Sequence, residues 1–253
     1  MDSQWGAALM KVQIEPTHLV VIIGKRGSGK TVLVRYLVRE ADFPNTIIYD
    51  GNLGKDYDKA RDFPTCENVT IVKRKFTDPA WETFNNPELH KGKYVVIDEM
   101  DIVNHHHYGF YIEWVNTGRH WPSGGIMAAR RPTRLPRDVT ANADYTFLFK
   151  ARESSVQRFI KDSYTDEVSD EAARLGKYEF LIVDAAQDLI CRAKLTEDGK
   201  RMEILQEYSP TDDVDSAPRN PSAPSSPAAR GREHSAAQDG EWSRTKDNTN
   251  VPR

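Results

Sequence analysis

Short apolar runs punctuate the chain at Leu19–Ile23, Thr46–Tyr49, Val69–Val72, Tyr94–Ile97, Gly125–Ala129 and Tyr145–Phe149, with polar or helical stretches between them. Each run is apolar along its length instead of alternating, the pattern of a strand covered on both faces, so the series predicts βαβ units and a parallel sheet. The stretch Val32–Val38 after the first run reads as a helix packed on that sheet. Two further runs, Tyr178–Val183 and Leu189–Ala193, flank the turn-forming Asp184–Asp188 and predict a hairpin that extends the sheet. Thr196–Tyr208 is expected to be a last helix or an ordered arm.

The pattern stops near Ser209. Six of the 14 prolines lie beyond it, among Ser, Ala, Asn and mixed charges. Such a segment has too little apolar surface to offset the entropy of ordering. The expected organisation is therefore one folded domain over 1–208 and a disordered tail over 209–253, in which Trp242 is either a docking anchor or an inert tail residue. No internal repeat is visible. The longest strictly apolar run, Leu19–Ile23, is far below the ~20 residues of a membrane span.

Composition narrows the function classes only a little. A chain of 253 residues holds one sizeable α/β core. A net charge of −3 excludes a globally basic nucleic-acid binder, so any contact with DNA has to come from a local surface. Cys66 and Cys191 are far apart, fit no metal or redox spacing, and suit a reducing compartment. Met1–Gln4 does not begin a basic and then apolar leader, so no signal peptide is expected.

The chemistry begins directly after the first apolar run. Gly24-Lys25-Arg26-Gly27-Ser28-Gly29-Lys30-Thr31 matches the phosphate-binding pattern G-x-x-x-x-G-K-[ST], and it sits between a strand and a helix as that pattern requires. Glycines at 24, 27 and 29 let several backbone N–H groups converge on one anion, and the positive end of the following helix adds to the attraction. Lys30 is expected to reach the β- and γ-phosphates of ATP, and Thr31 to complete a Mg²⁺ shell.

Lys93–Glu99 is a second apolar strand, ending in two adjacent carboxylates. An ATPase of this kind needs one acid to hold Mg²⁺ and another to orient and deprotonate the attacking water. Asp98 fits the first task and Glu99 the second. A water-activating glutamate favours hydrolysis over transfer to a small-molecule acceptor, as in a P-loop kinase.

The stretch Thr117–Pro132 contains Gly118-Arg119, then Gly125–Ala129, then Arg130-Arg131-Pro132, and is followed by Ala143-Asp144 and the Tyr145–Phe149 run. This series resembles the FtsK–HerA superfamily of DNA-pumping ATPases. The opening Val21–Thr31 is similar to the small genome-packaging members encoded by tailless viruses with an internal membrane. The likeness spans roughly residues 17–150. It implies an α/β, RecA-like (ASCE) P-loop NTPase fold with a central, mainly parallel sheet. It further implies ATP-driven translocation of double-stranded DNA into a capsid, a homo-oligomeric ring with a hexamer favoured, capsid vertex proteins as partners, and a place in the host cytoplasm or at the virion's packaging vertex. By the same resemblance Arg119 serves as an arginine finger in the neighbouring subunit, or else is a surface helix arginine. The family usually has a polar sensor, often glutamine, where this chain has Arg130, so Arg130 is either a γ-phosphate sensor or a DNA contact.

Arg130, Arg131, Arg134 and Arg137 form one basic cluster and Lys73-Arg74-Lys75 another, which suits sequence-independent phosphate binding as well as an ordinary solvated surface. His105-His106-His107 point different ways on a helix and lack partner ligands, so no metal is assigned to them. The aromatic stretch Tyr108–Trp114 is read as helix packing or subunit contact. Three rival readings stand beside the packaging motor: a filamentous-phage assembly ATPase, which normally carries a membrane span, a P-loop kinase, and a nucleotide-gated scaffold with little turnover.

Overall fold

In the computed structural model, residues 12–41, 43, 45–50, 55–73, 90–100, 115, 124–186 and 189–208 are described. All belong to one compact unit, Met1–Thr211. The tail at 209–253, Arg119, the triple histidine and the 108–114 aromatics lie outside the described residues.

The run Leu19–Ile23 forms β1, buried at every position. Then come α1 (Lys30–Ala41), β2 (Thr46–Asp50), the short α2 (Lys59–Asp62), β3 (Val69–Lys73), β4 (Tyr94–Asp98) and β5 (Gly125–Ala129). A 3-10 turn at Pro132–Arg134 leads to α3 (Arg137–Ala141), β6 (Tyr145–Phe149), α4 (Ser154–Ser163) and α5 (Asp166–Arg174). The chain closes with β7 (Glu179–Asp184), β8 (Leu189–Leu195) and β9 (Met202–Tyr208). The expected strands β1, β5 and β6 have the observed bounds, while β2, β3 and β4 each run one residue farther, to Asp50, Lys73 and Asp98.

The nine strands of the described residues form one sheet in the order β3-β2-β4-β5-β1-β6-β7-β8-β9. The first six in sequence pair in parallel, and β7, β8 and β9 add antiparallel strands beside β6. The expected parallel core and the expected hairpin are both present. Thr196–Tyr208, expected to be a last helix or an ordered arm, is ordered and not helical. Met202–Tyr208 is a strand paired with β8: Met202 and Ile204 pack on one core, Tyr208 packs on the other after a register shift opposite Arg192 and Ala193, and Glu203, Leu205, Gln206 and Glu207 are exposed.

Successive residues of β1 enter different cores, as the two-residue side-chain period requires. Val20 and Ile22 pack with Leu33, Val34, Leu37 and Val38 of α1 on one face, while Val21 and Ile23 pack with Val139 of α3, Ile160 of α4 and Ala172 of α5 on the other. Each such buried aliphatic side chain stabilises the fold by about 1.5–3 kcal/mol. Because β5 lies between β1 and β4, the ends of these three strands bring the phosphate loop, Arg130 and Asp98 to one rim of the sheet.

Candidate functional site

The loop between β1 and α1 adopts a conformation that its glycines permit. Gly27 has φ +77° and Gly29 φ +110°, backbone that L side chains rarely adopt. A Cβ at Gly24 would stand 2.6 Å from Ser28 Oγ and 2.7 Å from Phe149 Cβ, so the strand must leave the sheet at a residue without a side chain. The loop is closed by Ser28 N–H donating to the Lys25 carbonyl at 3.2 Å. The Lys30 ammonium, 7% exposed, donates back to the carbonyls of Gly24 at 2.8 Å and Lys25 at 3.4 Å. Ser28 Oγ is buried without a hydrogen-bond partner among the described residues. A loop of backbone N–H groups, a buried ammonium and an orphaned hydroxyl fits the phosphates of a nucleotide. The first turn of α1 carries no acidic residue, so no side chain of that turn neutralises the helix's positive end.

Thr31, the second residue of α1, joins this loop to the acidic strand. Its hydroxyl donates to Asp98 Oδ2 at 2.7 Å, across 67 residues of sequence. Asp98 is 3% exposed at the end of β4. Its other oxygen, Oδ1, accepts the backbone N–H of Glu99 at 2.9 Å. Glu99 itself has φ +58°, a left-handed conformation that is unfavourable for a residue with a side chain. A hydroxyl and a carboxylate in contact are the hard oxygen donors that suit Mg²⁺.

One residue of this constellation was not expected. Tyr57, fully buried in the loop after β2, donates its hydroxyl to Asp98 Oδ2 at 2.9 Å, and its backbone N–H donates to Asp50 Oδ2 at 3.2 Å. Asp50 and Asp98 are register partners at the ends of β2 and β4. Burial, and then the Asp98 charge, push the Tyr57 phenol well above its usual pKa of 10.0, so it stays a proton donor. The Arg35 guanidinium stands 5.5 Å from the centre of the Tyr57 ring, donates to the Asp56 carbonyl and forms an ion pair with the Asp62 carboxylate at 3.4 Å, which fixes the 55–58 loop against α1. A tyrosine in a short polar segment gives little sequence signal. The one available clue was its position, a few residues beyond a strand that ends in Asp50.

On the other side of the loop lies a cleft of about 580 Å³. Among the described residues, seven cationic side chains line it (Lys25, Arg26, Arg130, Arg131, Arg134, Lys150 and Arg152) against the one carboxylate of Glu153, with which Arg131 pairs at 3.3 Å. Arg130 directly follows β5, so the strand beside β1 delivers it to this cleft. The expected four-arginine cluster is divided: Arg137, the first residue of α3, lines a different cavity, of about 740 Å³. Lys73 stands on the edge strand β3, four strands from β1, and its companions Arg74 and Lys75 lie outside the described residues.

No group of three or more His, Cys, Asp or Glu side chains among the described residues could hold a metal ion by itself. No helix of the described residues is long and apolar enough to cross a membrane. Neither Cys66 nor Cys191 is in a disulfide, and both are buried.

No protein-family model matches this chain, and no curated protein matches it by sequence. Solved structures do match. B204, the DNA-packaging ATPase of Sulfolobus turreted icosahedral virus, is 25% identical with a TM-score of 0.57, over 71% of this chain and 98% of that one. The genome-packaging NTPase B204 of Sulfolobus turreted icosahedral virus 2, in complex with ATP-γS, is 23% identical at the same TM-score, over 71% of this chain and 98% of its own. The cytoplasmic domain of the type VII secretion ATPase EccC of Thermomonospora curvata is 15% identical, with a TM-score of 0.50, over 69% of this chain and 25% of that one. The chain has a P-loop ATPase fold, and its structural neighbours include packaging ATPases, the likeness that its sequence motifs suggest.

Proposed function

We propose that this chain is a Mg²⁺-dependent ATPase of a viral genome-packaging machine, and that it moves double-stranded DNA into a capsid. The observation that carries the reading is the Thr31–Asp98 hydrogen bond, which sets the phosphate loop against a buried carboxylate with Glu99 beside it. The likeness to B204, whose two viral forms package DNA or a genome, supports the biological setting.

In this reading the backbone of Gly24–Gly29, the Ser28 hydroxyl and the Lys30 ammonium bind the phosphates. Thr31 and Asp98 hold Mg²⁺, whose chemistry when bound is to neutralise charge on the phosphate oxygens. Glu99 orients water and takes its proton. Arg130, which lines the cleft with Gly24 and Lys25, would either sense the γ-phosphate or touch DNA. Arg119 serves the site of the adjacent subunit in a ring, where such a finger is worth on the order of 10³-fold or more in rate. The cationic cleft is a surface for DNA phosphates and would hold them without reading sequence. Capsid vertex proteins complete the machine.

The test is ATP hydrolysis with and without linear double-stranded DNA, comparing the unchanged protein with Glu99→Gln. Stimulation by DNA that Glu99→Gln abolishes is the expected result. Turnover indifferent to DNA overturns the motor, and tight ATP binding with negligible turnover replaces it with the nucleotide-gated scaffold.

A further inference from the structure

The phosphate loop has different chemistry on its two flanks. Toward β5 and β4 stand the metal-holding and water-activating carboxylates, Asp98 and Glu99. Toward β6 and β7 stands an aromatic ring. A Cβ built on Gly29 would come within 2.8 Å of Cδ1 of Tyr178, so the tyrosine ring lies directly against the last glycine of the loop.

Tyr178 is held there at a cost. Its φ of +63° is a left-handed conformation, unfavourable for a residue with a Cβ. The surrounding backbone is tied down on each side. Lys150 Nζ donates to the Leu175 carbonyl at 2.6 Å, Gly176 N–H to Glu179 Oε2 at 2.8 Å, and Leu195 N–H to the Tyr178 carbonyl at 3.1 Å. The ring is half-buried, and the Lys177 ammonium stands 4.8 Å from its centre. The β8–β9 turn closes along α1: a Cβ on Gly199 would meet Val32 Cγ1 at 2.5 Å in the first turn, and Arg39, in the last turn, donates to the Gly199 carbonyl at 2.5 Å.

A nucleoside triphosphate is a linear ligand with a charged end and a flat end. If its γ-phosphate lies beside Thr31, Asp98 and Glu99, its nucleoside leaves the loop on the opposite flank, toward Tyr178. We propose that Tyr178 is the platform on which the nucleobase of the bound triphosphate stacks, with the strained backbone at 178 holding the ring against Gly29. This rests on the reading of the loop as a triphosphate site. Stacking uses the π-face that every base has, so ATP and GTP bind this platform with similar affinity.

The experiment is titration calorimetry of a slowly hydrolysed ATP analogue and of inorganic tripolyphosphate, each with Mg²⁺, on the full chain. Tyr178→Asn removes the ring but tolerates the left-handed backbone, Tyr178→Leu keeps apolar bulk, and Tyr178→Phe keeps the ring. Loss of the ring is expected to weaken the nucleotide about 10-fold and leave tripolyphosphate within about 2-fold, while Tyr178→Phe keeps both affinities. Equal loss of both ligands, or no loss of either, overturns the platform and leaves the phosphate loop intact. If the unchanged protein fails to bind tripolyphosphate, the triphosphate reading falls and the platform with it. Tyr178→Trp gives an independent readout: nucleotide, and not tripolyphosphate, should quench the added indole fluorescence, and absence of that difference overturns the proposal.

Discussion

The hydroxyl of Tyr57 and the carboxylate of Asp98 meet at 2.9 Å, on the same oxygen that accepts from Thr31 at 2.7 Å. The carboxylate is thus pinned from two directions, from α1 and from the loop after β2. Groups that orient a metal-holding carboxylate are typically worth about 10–100-fold in metal affinity. Tyr57→Phe is therefore expected to lower Mg²⁺-dependent nucleotide affinity by about that factor, and to leave affinity measured in chelator nearly unchanged. Calorimetry with and without Mg²⁺ checks it. An equal loss in both conditions would make Tyr57 a packing residue only.

Glu99 stands in left-handed backbone at φ +58°. Asparagine accepts that conformation more readily than glutamate. Glu99→Asn should gain about 1 kcal/mol in stability by relieving the strain while hydrolysis is lost. Urea unfolding and a turnover assay together decide it, and a less stable variant contradicts the idea that the strain is stored for function.

The cationic cleft makes a prediction about salt. Each phosphate contact on duplex DNA adds about −0.9 to the slope of log affinity against log salt concentration. Changing Arg131, Arg134 and Arg152 together to Gln should make that slope shallower by up to about 3. Arg137→Gln, in a different cavity, should leave it in place. A slope unmoved by the triple change removes the cleft from the DNA path.

Acid stability tests the segment that carries Tyr178. The Gly176 N–H, and after it the Arg192 guanidinium at 2.6 Å, hold the Glu179 carboxyl below its ordinary pKa of 4.5. A lowered pKa stabilises the fold fully above about 4.5 and loses that contribution as pH falls through the folded value. Glu179→Gln should cost about 1–3 kcal/mol at neutral pH and flatten the acid limb below about pH 5. Unfolding midpoints across that range would show a parallel acid limb if the carboxylate contributes nothing.

Much of this arrangement was legible in the chain. Runs such as Val20–Ile23 are apolar at every position because both sheet faces are covered, and a single chain shows that pattern. The phosphate loop and Asp98-Glu99 are local motifs, so spacing alone found them. Tyr57 and Tyr178 were not legible as site residues, because each acts through partners far away in sequence: Tyr57 sits in a polar stretch, and Tyr178 opens an apolar run expected to be strand, one residue before the observed β7. Thr196–Tyr208 left helix and ordered arm both open, because its Glu, Leu and Gln favour helix locally, while pairing with β8 and the packing of Met202 and Ile204 favour the strand.

The order of the sheet sets the timing of the molecule's making. β1 leads the chain, yet both of its neighbours, β5 and β6, are encoded about a hundred residues later, and Leu19 N–H finds the Asp144 carboxylate across 125 positions. During synthesis at about 5–20 residues per second, the fully apolar first strand waits on the order of ten seconds before either edge is paired. Until then the phosphate loop has no frame. A growing chain therefore cannot capture a nucleotide, and it passes through an interval in which Leu19–Ile23 is a target for chaperones.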